Sequence, residues 1–332
     1  MKSLIKKLVE TVGPSGYESR IREVVRAEVE KYADEISVDA MGNLIVKKGE
    51  KKEGGLKVML SAHIDEIGVM VTHVDKNGFA RFTPIGGVRP HTCYGSRVRF
   101  LNGTVGVIGG EKLENANHVH AIEAMYIDVG ATSVEDCPVK IGDVAAFDRP
   151  FEDLGNRLVS KAMDDRVCAA VLIETLKNVK NSPHELYFVF STQEEVGLRG
   201  ATSAAYSIDP DLGIASDVTM TGDTPRGIKM DVALGKGPAI KVKDGGMLAD
   251  PKVVDAMVQC AQKHEIPYQL EVLLGGTTDA KAMQISRAGM PAGCVSVPTR
   301  YVHTPSEMVD INDLNNAVKL LTAFISETIK LE

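Results

Sequence analysis

Glu185-Leu186-Tyr187-Phe188-Val189-Phe190-Ser191-Thr192-Gln193-Glu194-Glu195-Val196-Gly197 decides the reading of this 332-residue chain. It is an apolar run of strand length that ends in two adjacent carboxylates. Desolvating a carboxylate at the end of a core strand is costly unless a cation or a hydrogen-bond donor meets it, so the pair predicts a metal or proton-transfer site. Other strand-like runs finish in the same manner. Val58-Met59-Leu60-Ser61-Ala62 leads into His63-Ile64-Asp65-Glu66, and Leu212-Gly213-Ile214-Ala215-Ser216 leads into Asp217. A third run, residues 291–298, leads into Thr299-Arg300-Tyr301-Val302-His303. In a parallel α/β sheet the carboxyl ends of the strands share one edge, so these four segments can meet in space.

A fifth segment, Lys161-Ala162-Met163-Asp164-Asp165-Arg166, precedes a helical pattern over residues 167–174 and puts Asp164 at a helix entrance. Read alone, it is an N-cap followed by a first-turn acid, a reading that also suits Asp165. Two histidines with several carboxylates suit borderline divalent ions such as zinc, cobalt or manganese, whereas an all-oxygen set would suggest magnesium or calcium. Taken singly, His63, Asp217 and His303 are ordinary polar core or capping residues. Their agreement with the other strand ends and the helix start carries the metal reading, and the set is large enough for two ions.

On these motifs the whole chain resembles the M42 family of co-catalytic metallo-aminopeptidases, whose TET-type members cut N-terminal residues from peptides. His63-Ile64-Asp65, Asp164-Asp165-Arg166, Gln193-Glu194-Glu195-Val196-Gly197, Asp217-Val218-Thr219 and Arg300-Tyr301-Val302-His303 stand in the family order. The resemblance implies two divalent metal ions per chain, zinc or cobalt first and manganese next, bridged by Asp164. It implies that His63 and Asp217 complete one metal site and that Glu195 and His303 complete the other. Glu194 is then left as the general base toward metal-activated water. Asp65, two residues after His63, faces the same side of an extended chain and can hold the imidazole in one tautomer. Arg166 and Arg300 are read as partners of the site carboxylates.

Composition narrows the partners. With 44% apolar and 25% charged residues the chain is globular, and a net charge of −7 argues against a nucleic-acid footprint. No basic block suggests an anionic membrane surface and no run has the length of a membrane span, so peptides or small molecules are expected. The five cysteines are odd in number, widely spaced and free of a CxxC pair, which fits reduced thiols rather than a disulfide framework. Leu4-Ile5-Lys6-Lys7-Leu8-Val9 is interrupted by charge and suits an amphipathic first helix better than a signal peptide, so a cytoplasmic location is expected.

The texture of the chain changes twice. Residues 1–67 and 155–332 alternate helical and strand patterns, and the resemblance makes them one α/β, mixed-sheet, zinc-peptidase-like catalytic domain. Residues 68–154 instead carry short strand-like runs punctuated by glycine, among them Val69-Met70-Val71-Thr72 and Val105-Gly106-Val107-Ile108, and predict an inserted small all-β barrel. The resemblance assigns this insertion to subunit contacts in a homo-oligomer, a dodecamer built from dimers. Residues 36–38 and 44–48 read as a hairpin, and residues 310–331 as a C-terminal helix. Gly275-Gly276-Thr277-Thr278-Asp279 reads as a turn beside the active site that caps a helix at Ala280, since no Gly-Lys-Ser/Thr follows to make a phosphate loop. His118 and His120 are placed on an exposed loop without a role, and Gly13-Pro14-Ser15-Gly16 and Gly222-Asp223-Thr224-Pro225 read as turns.

Removal of N-terminal residues from peptides is therefore the leading expectation. A hydrolase of other amides, such as an N-acyl amino acid deacylase or a carboxypeptidase, would use the same two ions. A glycosidase is disfavoured because adjacent strand residues such as Glu194 and Glu195 point to opposite faces and seldom flank one bond. A noncatalytic metal-stabilised assembly protein is disfavoured because a closed structural site leaves no spare carboxylate like Glu194.

Overall fold

The computed structural model describes residues 1–115 and 117–331. Helices α1 (Lys2–Val9) and α2 (Ser19–Val29) open the chain, followed by strands β1 (Glu35–Val38), β2 (Leu44–Lys48) and β3 (Lys57–His63). The next strands are β4 (Gly68–Val74), β5 (Ala80–Ile85), β6 (Arg97–Phe100), β7 (Val105–Gly110), β8 (Met125–Asp128) and β9 (Val144–Phe147), with the short helix α3 (Pro90–Cys93) before β6. Strands β10 (Glu152–Leu154) and β11 (Arg157–Ser160) then lead into α4 (Met163–Asn178), β12 (Glu185–Ser191), α5 (Arg199–Ile208) and β13 (Leu212–Thr219). The last elements are β14 (Ala239–Lys243), α6 (Pro251–Lys263), β15 (Gln269–Val272), α7 (Asp279–Gln284), β16 (Ala292–Arg300), β17 (Glu307–Asp310) and α8 (Ile311–Ser326).

An eleven-stranded mixed sheet runs in the order β1-β2-β12-β3-β13-β16-β17-β11-β10, with β14 paired to β16 and β15 paired to β14. Its centre, β12-β3-β13-β16, is parallel, so the four ligand-bearing strand ends do lie along one edge. The alternation of side chains explains why these strands read as continuous apolar runs. Leu186, Phe188 and Phe190 of β12 pack with Val58 and Leu60 of β3 in one core, together with α4 and α8. Val189 and Met59 point the other way, into a second core shared with α5 and α7. Both faces are covered, and each buried Val, Leu, Ile or Phe contributes roughly 1.5–3 kcal/mol of transfer free energy.

Strands β4 to β9 close into a six-stranded barrel in the order β4-β5-β8-β7-β6-β9, with its own core around Val69, Phe82, Val98 and Phe147. Gly68 of β4 pairs with Ala146 of β9, so the chain enters and leaves the barrel side by side. That closeness lets β3 end at His63 and α4 begin near the same point. The expected hairpin is β1-β2 in antiparallel register, Ile36 opposite Val46. The C-terminal helix stops at Ser326, short of the expected residue 331, and begins after the cap Asp310, whose side chain accepts from the backbone N–H of Asn312. Among the described residues no helix is long and apolar enough to cross a membrane.

Candidate active site

Each expected ligand is delivered by the end of a core element. His63 is the last residue of β3, Asp217 lies near the end of β13, and His303 sits in the turn after β16. Asp164 stands at the start of α4, where Asp164 and Asp165 have non-helical φ/ψ. The four meet Glu194 and Glu195 around a cavity of about 410 Å³. His63 Nε2 lies 3.1 Å from Asp164 Oδ1 and 3.9 Å from Glu194 Oε2, while His303 Nε2 lies 3.3 Å from both Asp164 Oδ2 and Glu195 Oε2. Asp164 thus stands between the two imidazoles.

Two groups of side chains could hold a metal ion, each with ligand atoms within 4.8 Å of one another: His63, Asp164 and Glu195, and His63, Asp165 and Asp217. Electrostatics favours cations here. Burial pushes the Asp165, Glu194, Glu195 and Asp217 carboxyls above their usual range. Burial alone would lower the imidazole of His303, yet Asp164 and Glu195 hold it up at about 11, and His63 is raised by Asp164 and Asp65 against the same desolvation. The Asp165 Oδ1 atom is buried without any hydrogen-bond partner among the described residues. Carboxyls pushed up by burial, imidazoles raised by the carboxylates beside them and an orphaned carboxylate oxygen are what a surplus of buried negative charge produces. The residues fit divalent cations.

A family model for the M42 glutamyl aminopeptidases matches residues 42–320. The chain belongs to the M42 family. A putative aminopeptidase of Acetivibrio thermocellus is 48% identical over 329 residues, covering 98% of each chain. An aminopeptidase from the archaeon Desulfurococcus kamchatkensis superposes with a TM-score of 0.94 at 41% identity, covering 98% of this chain and 94% of that one. The TET1 peptidase of Pyrococcus horikoshii, which can assemble into a tetrahedron or a large octahedral shell, gives 0.90 at 34% identity over 98% and 99%. This M42 protein is a peptidase enzyme.

Several sequence expectations need correction in the M42 site. Asp164 makes no side-chain cap bond to α4; its carboxylate faces the two imidazoles instead. Asp165 is no solvated first-turn acid: it is fully buried, and its Oδ2 accepts the His63 backbone N–H at 3.2 Å. Glu194 and Glu195 do not continue the strand to opposite faces. β12 ends at Ser191, Gln193 takes a φ of 55°, and both carboxylates line the same cavity. Arg300 pairs with Asp223 at 2.7 Å rather than with a site carboxylate. Arg166 donates to the backbone oxygens of Leu8, Thr11 and Gly13, with Glu66 3.6 Å away, so it secures the N-terminal segment.

Other placements agree with the sequence. Asp65 Oδ1 lies 3.4 Å from His63 Nδ1. Thr278 caps α7 by accepting from the Ala280 N–H, and the adjoining Gly276 and Thr277 line the cavity. His118 is exposed, and His120 bonds to the Glu111 carbonyl and stacks on Tyr94.

The sequence did not reveal Glu307, which is buried and accepts the backbone N–H of Asp164 at 3.0 Å and of His303 at 2.8 Å, tying two site segments together. Nor did it reveal the barrel's contribution. A Cβ at Gly87 would fall 2.2 Å from His303 Nδ1, and one at Gly86, whose φ is 74°, would fall 3.0 Å from Glu195 Cβ. Only glycine allows this approach, so the inserted barrel walls the site while supplying none of the expected ligands. Lys241 also lines the cavity, with its ammonium 2.7 Å from Glu271 and almost wholly buried.

Proposed function

We propose that the chain removes N-terminal residues from peptides with two divalent cations, zinc or cobalt suiting the mixed imidazole and carboxylate donors best. Asp164 would be shared between the ions, with His63 and Asp217 on one side and Glu195 and His303 on the other. The single observation that carries this reading is the placement of Asp164 between His63 and His303. Such cations, when bound, would polarise the scissile carbonyl and lower the pKa of a bound water. Glu194 lines the cavity with Oε2 3.9 Å from His63 Nε2, against 3.1–3.3 Å for the Asp164 and Glu195 contacts with imidazole, which supports leaving its carboxylate free. As general base it takes a proton from the attacking water and returns it to the leaving amine nitrogen. Asp65 orients His63, and the Glu307 carboxylate keeps Asp164 and His303 in register.

The cavity is also lined by the apolar side chains of Leu198, Val218, Met220, Leu273 and Val302, a lining suited to a side chain of the substrate. The inserted barrel carries subunit contacts in a homo-oligomer, a role supported by its separate core and by the shell-forming TET1 relative. The test uses two copies of one short peptide, one with a free N-terminus and one acetylated. Stepwise cleavage of the free copy with resistance of the acetylated copy is expected, since only an unblocked amine can be captured beside the scissile bond. Equal cleavage of both, or release of residues from the C-terminus, would overturn the aminopeptidase reading and favour a general amide hydrolase.

A further inference from the structure

Beyond Ser191 the chain leaves the sheet, and four successive backbone N–H groups lose their ladder partners just where the two site glutamates begin. Buried amides must be paired, and here each finds a side-chain oxygen. Thr192 donates to Asn43 Oδ1 at 2.9 Å, Gln193 to Glu18 Oε1 at 3.1 Å, Glu194 to Asp65 Oδ1 at 3.0 Å and Glu195 to Asp65 Oδ2 at 3.2 Å. The Glu194 carbonyl then receives the N–H groups of Gly197 and Leu198, at 2.8 and 2.9 Å, where α5 starts. The segment is shaped by contacts from outside it.

We propose that Glu18, in the N-terminal loop, is a positioning residue of the active site that aims Glu194 and Glu195 through the Gln193 peptide. The proposal rests on the reading of Glu194 as base and Glu195 as ligand. Gln193 is the weak point of the turn, since its φ of 55° is sterically disfavoured for a non-glycine residue. Its N–H is held by Glu18, a side chain only 4% exposed. Glu18 is itself fixed, since Oε1 also accepts the Gly16 N–H at 2.6 Å.

The loop that carries Glu18 is moored to the same site. Ser15 Oγ donates to Asp65 Oδ2 at 2.6 Å, Gly13 N–H donates to Glu66 Oε1 at 2.9 Å, and Arg166 donates to the Gly13 carbonyl at 3.3 Å. The turn Gly13-Pro14-Ser15-Gly16 therefore acts on the glutamate segment at two places, through Glu18 and through Asp65. Without the Glu18 carboxylate, a buried N–H is left unpaired next to a strained φ. Relaxation of that φ to the ordinary negative region turns the following peptides by roughly 100°, and an active site tolerates displacements of only about 0.5 Å.

Glu18→Gln keeps the Oε1 acceptor and Glu18→Ala removes it. Three measurements decide: hydrogen exchange of residues 192–195 in chelator-stripped protein, zinc titration by calorimetry, and kcat and KM on an aminoacyl p-nitroanilide. For Glu18→Ala we expect faster exchange at 192–195, zinc affinity down about tenfold, and kcat down about 10- to 100-fold with KM within about threefold, the usual range for outer partners of a metal site. For Glu18→Gln all three should stay within about threefold of the parent. A Glu18→Ala protein with parental exchange and kcat overturns the proposal, whatever its melting temperature. Equal impairment of both variants overturns it too, because it would assign the effect to charge rather than to the acceptor. Should Glu18→Ala fail to fold, Glu18→Asp, one methylene too short to reach Gln193, takes its place with the same outcomes. Failure of the base reading is seen separately, as full activity in Glu194→Gln.

Discussion

Glu194→Gln separates base from ligand. The substitution keeps the shape of the side chain and leaves the backbone bond from Glu194 to Asp65 intact, so the turn should not move. Glu194 Oε2 lies 3.9 Å from His63 Nε2, farther than Asp164 and Glu195 lie from their imidazoles, so metal binding should survive. No other carboxylate is free to replace it, since Glu195 Oε2 is 3.3 Å from His303 Nε2 and Asp217 is grouped with His63 and Asp165. A positioned general base contributes roughly 10²- to 10⁴-fold, about 3–5 kcal/mol at the barrier. We therefore expect kcat on a free-N-terminus peptide to fall by about 100-fold or more, with KM nearly constant. Elemental analysis of the same sample should still give two divalent ions per chain. Glu195→Gln should do the opposite, losing metal by about tenfold or more in affinity. A Glu194→Gln enzyme that keeps a tenth of its kcat with full metal, or that loses its metal, refutes the assignment; one ion per chain in the parent refutes the two-ion site.

Replacing residues 68–147 by a short glycine-serine linker is feasible because Gly68 and Ala146 are paired neighbours, and it should reduce the assembly size in light scattering. An unchanged size would count against the barrel as a contact domain; activity is no guide, since Gly86 and Gly87 wall the site. Gly87→Ala forces His303 aside and should lower metal affinity by about 10- to 100-fold, a change that calorimetry would detect and that parental affinity would contradict. Asp223, held down at about 2 by Arg300, contributes stability that is fully present above the unfolded value near 3.8 and is lost as pH falls through about 2. Acid unfolding of Asp223→Asn should show that contribution missing, at most about 2 kcal/mol after solvent screening, and an acid limb identical to the parent's would remove the pair from the account.

The strand ends were legible because the sheet is covered on both faces. A strand buried on both sides reads as an unbroken apolar run, so the first polar residue after it marks the edge of the sheet, as at His63 and Asp217. The order of the runs and the parallel-sheet rule then brought them together. What remained hidden is contact between polar groups far apart in sequence. Glu18 meets Gln193 across 175 positions and Glu307 meets Asp164 across 143, and periodicity records only the face a residue occupies. The turn at Gln193 was misread for a related reason: nothing in Thr192-Gln193-Glu194-Glu195 announces a left-handed residue that ends the alternation. The burial of Asp165 stayed hidden because Asp-Asp before an apolar run is also what an ordinary cap with a first-turn acid looks like.

The buried carboxylates sort themselves by how many donors the protein gives them. Asp65 receives the Ser15 hydroxyl and two backbone N–H groups, Glu307 receives two backbone N–H groups, and Asp279 receives the Ser61 and Ser191 hydroxyls at 2.6 and 2.5 Å. Each of these three is oriented by two or three donors, although Asp279 keeps its Oδ1 unpaired, so they act as supports. The carboxylates that face the cavity are treated differently. Among the described residues Asp217 accepts only from the adjoining Val218 N–H, Asp165 keeps one oxygen unpaired, and Asp164 and Glu195 meet imidazoles across gaps of 3.1–3.3 Å. A fold that gives each carboxylate one layer out two or three backbone or hydroxyl donors, and those at the cavity at most one, has left the cavity oxygens for a partner of another kind. An imidazole paired with buried carboxylates holds at most one positive charge, whereas a divalent ion brings two and accepts several oxygens at once, which is why the cations are placed at this layer and not at Asp65, Glu307 or Asp279.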